Sequence, residues 1–166
     1  MQNFVVLKKY EDRQSCILLT HVYGKITARI KKSSSNKQLH SGVVAHGFIE
    51  KRGKYYYVDH IDLVACVHFA SLQSMELFHD LVRLLLYVLP EQAVDDSIFL
   101  LAQHAVLYWQ HMTILDQQLM LAKLFFLVDI FPDNVQSYQL VFASAEKDEG
   151  AVVSLLRSCW QLYEQR

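Results

Sequence analysis

Glycine and proline are scarce: five glycines and two prolines occur in 166 residues. Neither a GxGxxG nor a GxxxxGK spacing occurs, so no glycine-rich phosphate cradle is expected. No Gly-x-Ser-x-Gly elbow and no His-Glu-x-x-His pair occurs either. Cysteine is limited to Cys16, Cys66 and Cys159, far apart and odd in number. That excludes a disulfide framework and fits buried thiols in a reducing compartment. Long apolar runs are missing as well. The longest, "LLLYVL" at Leu84–Leu89, is closed by Pro90, and "LMLAKLFFLV" is split by Lys123. Both fall short of the ~20 residues that a bilayer span requires. The opening "MQNFVVLKKYEDR" lacks the order of a secretory signal. These absences lead to the expectation of a cytoplasmic protein without a membrane segment.

What is present is a globular composition: 52% apolar and 20% charged residues. The length suits one domain or two small ones. The net charge of −1 conceals a division. Residues 1–54 hold eleven Lys and Arg against three Asp and Glu, and the remainder holds five against fourteen. Fold stability asks for no such partition. A basic module beside an acidic one is what a chain facing phosphates on one side only would carry. Lysine-rich solvated strands would produce the same count.

The hydrophobic period changes at about the same place. "FVVLKKY" and "SCILLTH", separated by the polar "EDRQ", read as strands. In "VYGKITARI", Ile26, Ala28 and Ile30 share one strand face and Lys25, Thr27, Arg29 and Lys31 the other. After the polar "KKSSSNKQLH", the segment "SGVVAHGFIEKRGKYYYVDHIDL" reads as two strands around a turn at Gly53. Five short strands before residue 70 fit a small Greek-key barrel. Beyond it the period is helical. Leu72, Met75, Phe78, Val82, Leu85 and Leu89 form one stripe ended by Pro90. Further helices are expected from Asp95 and Asp96, from Asp116 to a stop at Pro132, and over 148–165, with Val152, Leu155, Leu156, Cys159 and Leu162 facing inward. Residues 134–145 fit either a loop or a short helix.

Histidine and cysteine are the residue types that would carry metal or nucleophile chemistry here. His60, Asp62, Cys66 and His68 share strand parity in "DHIDLVACVHF". Neighbours of equal parity sit roughly 7 Å apart, so Cys66 and His68 are within reach of one ion, but His60 lies about 26 Å from His68 along an extended strand. An exposed or half-buried strand face accounts for the pattern better than a metal site. Cys16 and His21 have opposite parity and make a poor nucleophile–base pair. His79, His104 and His111 lie in helical segments. No enzyme and no metal are expected.

The basic cluster offers more. Lys25, Arg29, Lys31, Lys32 and Lys37 come from one strand and the loop that it enters, while Lys51, Arg52 and Lys54 come from a hairpin tip. Tyr55, Tyr56 and Tyr57 follow directly. Parity places Tyr55 and Tyr57 together on the outside and sends Tyr56 inward. Positive charge that tracks a backbone, beside rings that stack on bases, is what a groove for single strands needs. Tyrosine is also favoured in strands for packing alone.

The stretch "FVVLKKYEDRQSCILLTHVYGKITARIKKSSS" resembles the opening of the DNA repair protein RecO family, with "LLTHVYGKITARIKK" the most similar part. "SGVVAHGFIE" resembles that family's next strand, and "LMLAKLFFLVDIFPDN" (Leu119–Asn134) its helix and following "P-D" turn. The resemblance implies an α+β chain: an N-terminal OB-fold β-barrel in residues 1–70 and an all-α helical domain in 71–166. It implies a non-enzymatic recombination mediator that binds single- and double-stranded DNA, anneals strands and assists RecA loading in recombinational repair of DNA damage. RecR and the single-stranded-DNA-binding protein are its implied partners, and nucleoid association its implied location. The expected DNA contacts are Lys25, Arg29, Lys31, Lys32, Lys37, Arg52 and Lys54, with Tyr55 and Tyr57 as stackers. The chain departs from the family pattern at Ile30 and His46, where glycine and proline are usual. Some members hold zinc with four cysteines after the "P-D" turn, whereas only Cys159 lies there in this chain, so no zinc and no other cofactor is expected. The arginine that helps hold the acidic tail of the single-stranded-DNA-binding protein is replaced at Gln117 or Gln118. The alternative reading is a protein–protein adaptor that uses its helical domain, with the barrel as scaffold.

Overall fold

The period-two segments form five strands: β1 (Gln2–Tyr10), β2 (Ser15–Thr20), β3 (Gly24–Ile30), β4 (Val43–Arg52) and β5 (Tyr55–Cys66). The structure, a computed structural model, describes residues 1–10, 14–31, 39–143 and 148–166. The strands close into a barrel in the order β1-β2-β3-β5-β4, with β4 paired back onto β1. Every neighbouring pair is antiparallel except β3 and β5, which run parallel.

Strand pleating sends alternate side chains inward. On β3 these are Ile26, Ala28 and Ile30, as the alternation predicts, and they meet Phe4, Leu18 and Val58 in one apolar cluster. The β4–β5 hairpin turns at Gly53, whose φ of +60° is costly for any residue with a Cβ. β5 does not keep a single parity. His60 has a φ of +48°, and the register with β4 shifts between His46 and Phe48 and again between Val44 and Ala45. A bulge of this kind reverses the alternation. Asp62, Leu63 and Val64 are therefore all exposed, and the strand ends at Cys66, before His68. The shared face expected for His60, Asp62, Cys66 and His68 does not form.

Five helices follow: α1 (Leu72–Tyr87), α2 (Asp96–Tyr108), α3 (Ile114–Leu127), α4 (Val135–Phe142) and α5 (Glu149–Glu164). A short 3₁₀ turn, Trp109–His111, succeeds α2. Asp95 caps α2 by accepting the Ile98 N–H at 3.0 Å. α3 begins two residues before Asp116 because Thr113 and Asp116 form a reciprocal capping box. It also ends earlier than Pro132, since Asp129 adopts a φ of +59° and the last carbonyls are taken up locally. The ambiguous segment after Pro132 is helical, capped by Asn134 through the Ser137 N–H at 2.8 Å. Leu72 and Leu162, expected to be inward, are 66% and 37% exposed. Both sit in a terminal turn, where a helix no longer needs to hold its apolar stripe.

The chain divides into two compact units, residues 1–68 with 85–109, and residues 69–84 with 110–166. This differs from a division at residue 70, because the end of α1, the segment after it and α2 group with the barrel. Within the first unit α2 packs on β1, β4 and β5, and its Ile98, Phe99, Ala102, Ala105 and Val106 are buried. Within the second, α3 and α5 pack together. There the Phe125 and Trp160 rings meet edge to face at 4.9 Å, and the Arg83 guanidinium lies 5.2 Å from the Trp160 ring centre. No helix among the described residues is long and apolar enough to cross a membrane.

Candidate nucleic-acid interface

The parallel pairing of β3 with β5 builds the site. It sets Ala28 opposite Tyr56 and Arg29 opposite Tyr57. The β4–β5 ladder then sets Arg52 opposite Tyr55 and Glu50 opposite Tyr57. Residues distant in sequence thereby share one outward surface. Tyr56 points inward and is 5% exposed, while Tyr55 is 43% exposed and Tyr57 half-buried. The parity reading of the tyrosine run agrees with this arrangement.

Cation–π contacts organise the surface. The Arg29 guanidinium lies 4.8 Å from the Tyr55 ring centre, and Lys54 Nζ lies 5.4 Å from the same ring. The Lys51 ammonium is 5.4 Å from the Tyr56 ring centre, and the Arg52 guanidinium 5.6 Å from that of Tyr57. At exposed sites such contacts are worth about 0.5–1 kcal/mol, enough to bias side-chain directions without fixing them. Arg29, Lys31 and Lys54, with Tyr55 and Tyr57, line a groove of about 790 Å³.

Two further cations are shared with carboxylates. Lys31 Nζ lies 3.3 Å from Asp59 and 3.7 Å from Glu50, and Arg52 is 2.8 Å from Glu50. The Arg52 hydrogen bond holds the Glu50 carboxyl below its ordinary range. The backbone N–H of His60, and then Lys31, do the same for Asp59. Arg52 thus stands beside the groove, and both it and Lys31 are already partnered by carboxylates that a phosphate would have to displace. Neither Arg29 nor Lys54 forms an ion pair among the described residues. A second hollow of about 500 Å³ shares Lys31 and Tyr57 with the groove and extends to Phe48 and His60, whose rings meet edge to face at 5.9 Å.

Lys25 departs from expectation. It has the outward parity of Arg29, yet it is only 8% exposed. Its ammonium donates to the Leu86 carbonyl at 2.6 Å, and its own carbonyl accepts the Gln92 N–H at 2.8 Å. Burial pushes its pKa down, and the nearby Glu91 carboxylate opposes that shift. A lysine committed to a helix-end carbonyl under a covering segment is not a phosphate ligand. It lies at the groove's floor as a structural cation. Lys32 and Lys37 lie outside the described residues. Gln117 and Gln118 are buried, 1% and 4% exposed, so that position offers no side chain to an acidic tail.

Sequence reasoning missed Glu91 and Gln92, both exposed, which also line the groove. Their placement depends on a parallel bridge from Lys25 to Glu91, across a whole helix in sequence, for which no local signal exists. Among the described residues no three His, Cys, Asp or Glu side chains are grouped to hold a metal ion. The chain matches no known family model, and no curated protein matches its sequence.

Proposed function

We propose that this chain is a non-enzymatic DNA-binding protein of the RecO type, with an N-terminal OB-fold as its DNA-binding module. The observation that carries the reading is the groove in which the Arg29 and Lys54 cations lie over the exposed Tyr55 ring, with Lys31 also on its lining. The β1-β2-β3-β5-β4 order of a closed five-stranded barrel supports the OB assignment. Lysine and arginine contact phosphates irrespective of sequence, and Tyr55 stacks on bases. Strand annealing is likewise suggested by the sequence resemblance, and cations that screen the repulsion between two phosphate backbones would serve it. Assistance to RecA loading, with RecR and the single-stranded-DNA-binding protein as partners in recombinational repair, is the physiological role that the sequence resemblance suggests.

The test is a fluorescence-anisotropy titration with single- and double-stranded oligonucleotides at two salt concentrations. Saturable binding that weakens steeply with salt is expected. The triple variant Arg29→Ala, Lys31→Ala, Lys54→Ala should flatten the dependence of log affinity on log salt by ~0.7–0.9 per lost contact. An unaltered slope would remove this cluster from the interface. One observation favours the adaptor as a second reading. Phe126 and Phe142, 37% and 52% exposed, stack edge to face at 5.0 Å on the helical unit beside Tyr138, an apolar surface of the kind protein partners cover. Weak, non-saturating DNA binding together with a stable co-purifying protein would select it.

A further inference from the structure

The lining of this groove is unusual for one that takes phosphates. It carries a carboxylate, Glu91, and an amide, Gln92, both exposed and both lining the same hollow as Arg29 and Tyr55. A carboxylate repels a phosphodiester, so Glu91 weakens a groove that merely attracts backbone.

The segment that carries them is also rigidly built. The Gln92 N–H donates to the Lys25 carbonyl at 2.8 Å, and the Lys25 ammonium ties down the Leu86 carbonyl just upstream at 2.6 Å. Downstream, Ala93 approaches Gly24 so closely that a Cβ there would stand 1.9 Å from its carbonyl oxygen. Gln92 itself holds a φ of +61°, left-handed backbone that non-glycine residues seldom adopt and that clusters at functional sites. Three separate ties and one strained residue thus fix the backbone from which two polar side chains reach into the groove.

We infer that Glu91 reads base edges, giving the groove a preference for bases that carry an exocyclic amino group over thymine or uracil, while the Gln92 amide, which both donates and accepts, adds contact without that preference. This deepens the nucleic-acid reading of the same groove and rests on it. On this reading phosphates run along Arg29, Lys31 and Lys54, and bases splay across Tyr55 toward Glu91. A carboxylate accepts hydrogen bonds and cannot donate them. Cytosine offers its N4 amino group, adenine its N6 amino group, and guanine two adjacent donors at N1 and N2. Thymine presents two carbonyl oxygens flanking a single N–H, and those oxygens face a carboxylate unfavourably. Single strands expose these edges, whereas a duplex occupies them in pairing.

The experiment compares the whole chain with its Glu91→Gln variant in anisotropy titrations against three single strands of about 12 nucleotides, a length within reach of one barrel. These are a thymine tract, a cytosine tract, and a thymine tract with one central guanine. The wild-type chain should bind the cytosine and guanine-bearing strands about five-fold or more tighter than the thymine tract, the lower bound for one discriminating base contact. In Glu91→Gln the three affinities should converge, with the thymine tract gaining most because a repelling charge has gone. Equal wild-type affinities for all three strands, with a normal salt dependence, would overturn base reading by Glu91 and leave the DNA-binding reading standing. A ranking that persists unaltered in Glu91→Gln would likewise overturn it. Failure of every strand to bind would overturn both.

Discussion

The two ends of β3 carry the same kind of residue on the same face and use it in opposite ways. At one end Lys25 is covered by the segment after α1 and spends its ammonium on a backbone carbonyl. At the other, Arg29 stays exposed, with its guanidinium over Tyr55 and the groove before it. A count of positive charge along this strand therefore overstates what the surface offers to a ligand. Strand parity decides whether a side chain points out, but only tertiary cover decides whether outward means solvent.

The largest effect that sharpens the contrast lies in the tyrosine run beside β3. Tyr56→Ala should cost about 3–5 kcal/mol in chemical denaturation, as expected for a large ring removed from a packed interior. Tyr55→Ala should barely move stability but weaken single-strand binding by about 1–3 kcal/mol, the worth of one stacking platform. Equal stability losses at the two positions would break the distinction between inner and outer rings.

The contrast within β3 itself is tested by Lys25→Met. This variant should lose about 1–2 kcal/mol of stability, since it removes a charge-assisted hydrogen bond to a helix-end carbonyl. Its salt dependence of DNA binding should match that of the parent chain. A flattened salt slope in Lys25→Met would place its ammonium on a phosphate after all.

The smallest effect concerns the thiols. Cys16, which faces the Ala28 carbonyl at 3.8 Å beneath β3, is pushed up to about 12 by burial, and burial does the same to Cys159. Raised thiol values mean that the folded chain holds these protons more tightly than the unfolded one. Their contribution to stability is thus complete below the ordinary thiol value of 9.0 and declines as pH rises from there toward 12. A thiol reagent at pH 8 should modify half-buried Cys66 first, leaving Cys16 and Cys159 until the chain is denatured. Rapid modification of Cys16 in the native protein would contradict its burial.

Much of the architecture could be read from local pattern. Alternation in "KITARI" identified the inward residues of β3, and Asp95 marked the start of α2, because both signals reside within a few neighbouring residues. The end of α3 was misplaced for the converse reason: Pro132 is a conspicuous stop, but the left-handed Asp129 ends the helix first. The site was legible in part. Arg29, Lys31, Lys54, Tyr55 and Tyr57 come together as charge and parity suggested. Lys25 was misjudged and Glu91 and Gln92 were missed because both outcomes stem from one long-range contact. The parity change at His60 was equally invisible, since a bulge is a property of two strands and only one is seen at a time.

The covering of Lys25 bears on where the barrel can be cut. The segment that occupies the hollow over Gly24 lies beyond the last strand, yet residues 85–109 belong to the same body as residues 1–68. A fragment ending near residue 70 would present an unsheathed ammonium and a gap beside a glycine, half-finished on the side where nucleic acid is proposed to lie. The smallest faithful barrel is therefore longer than its strands.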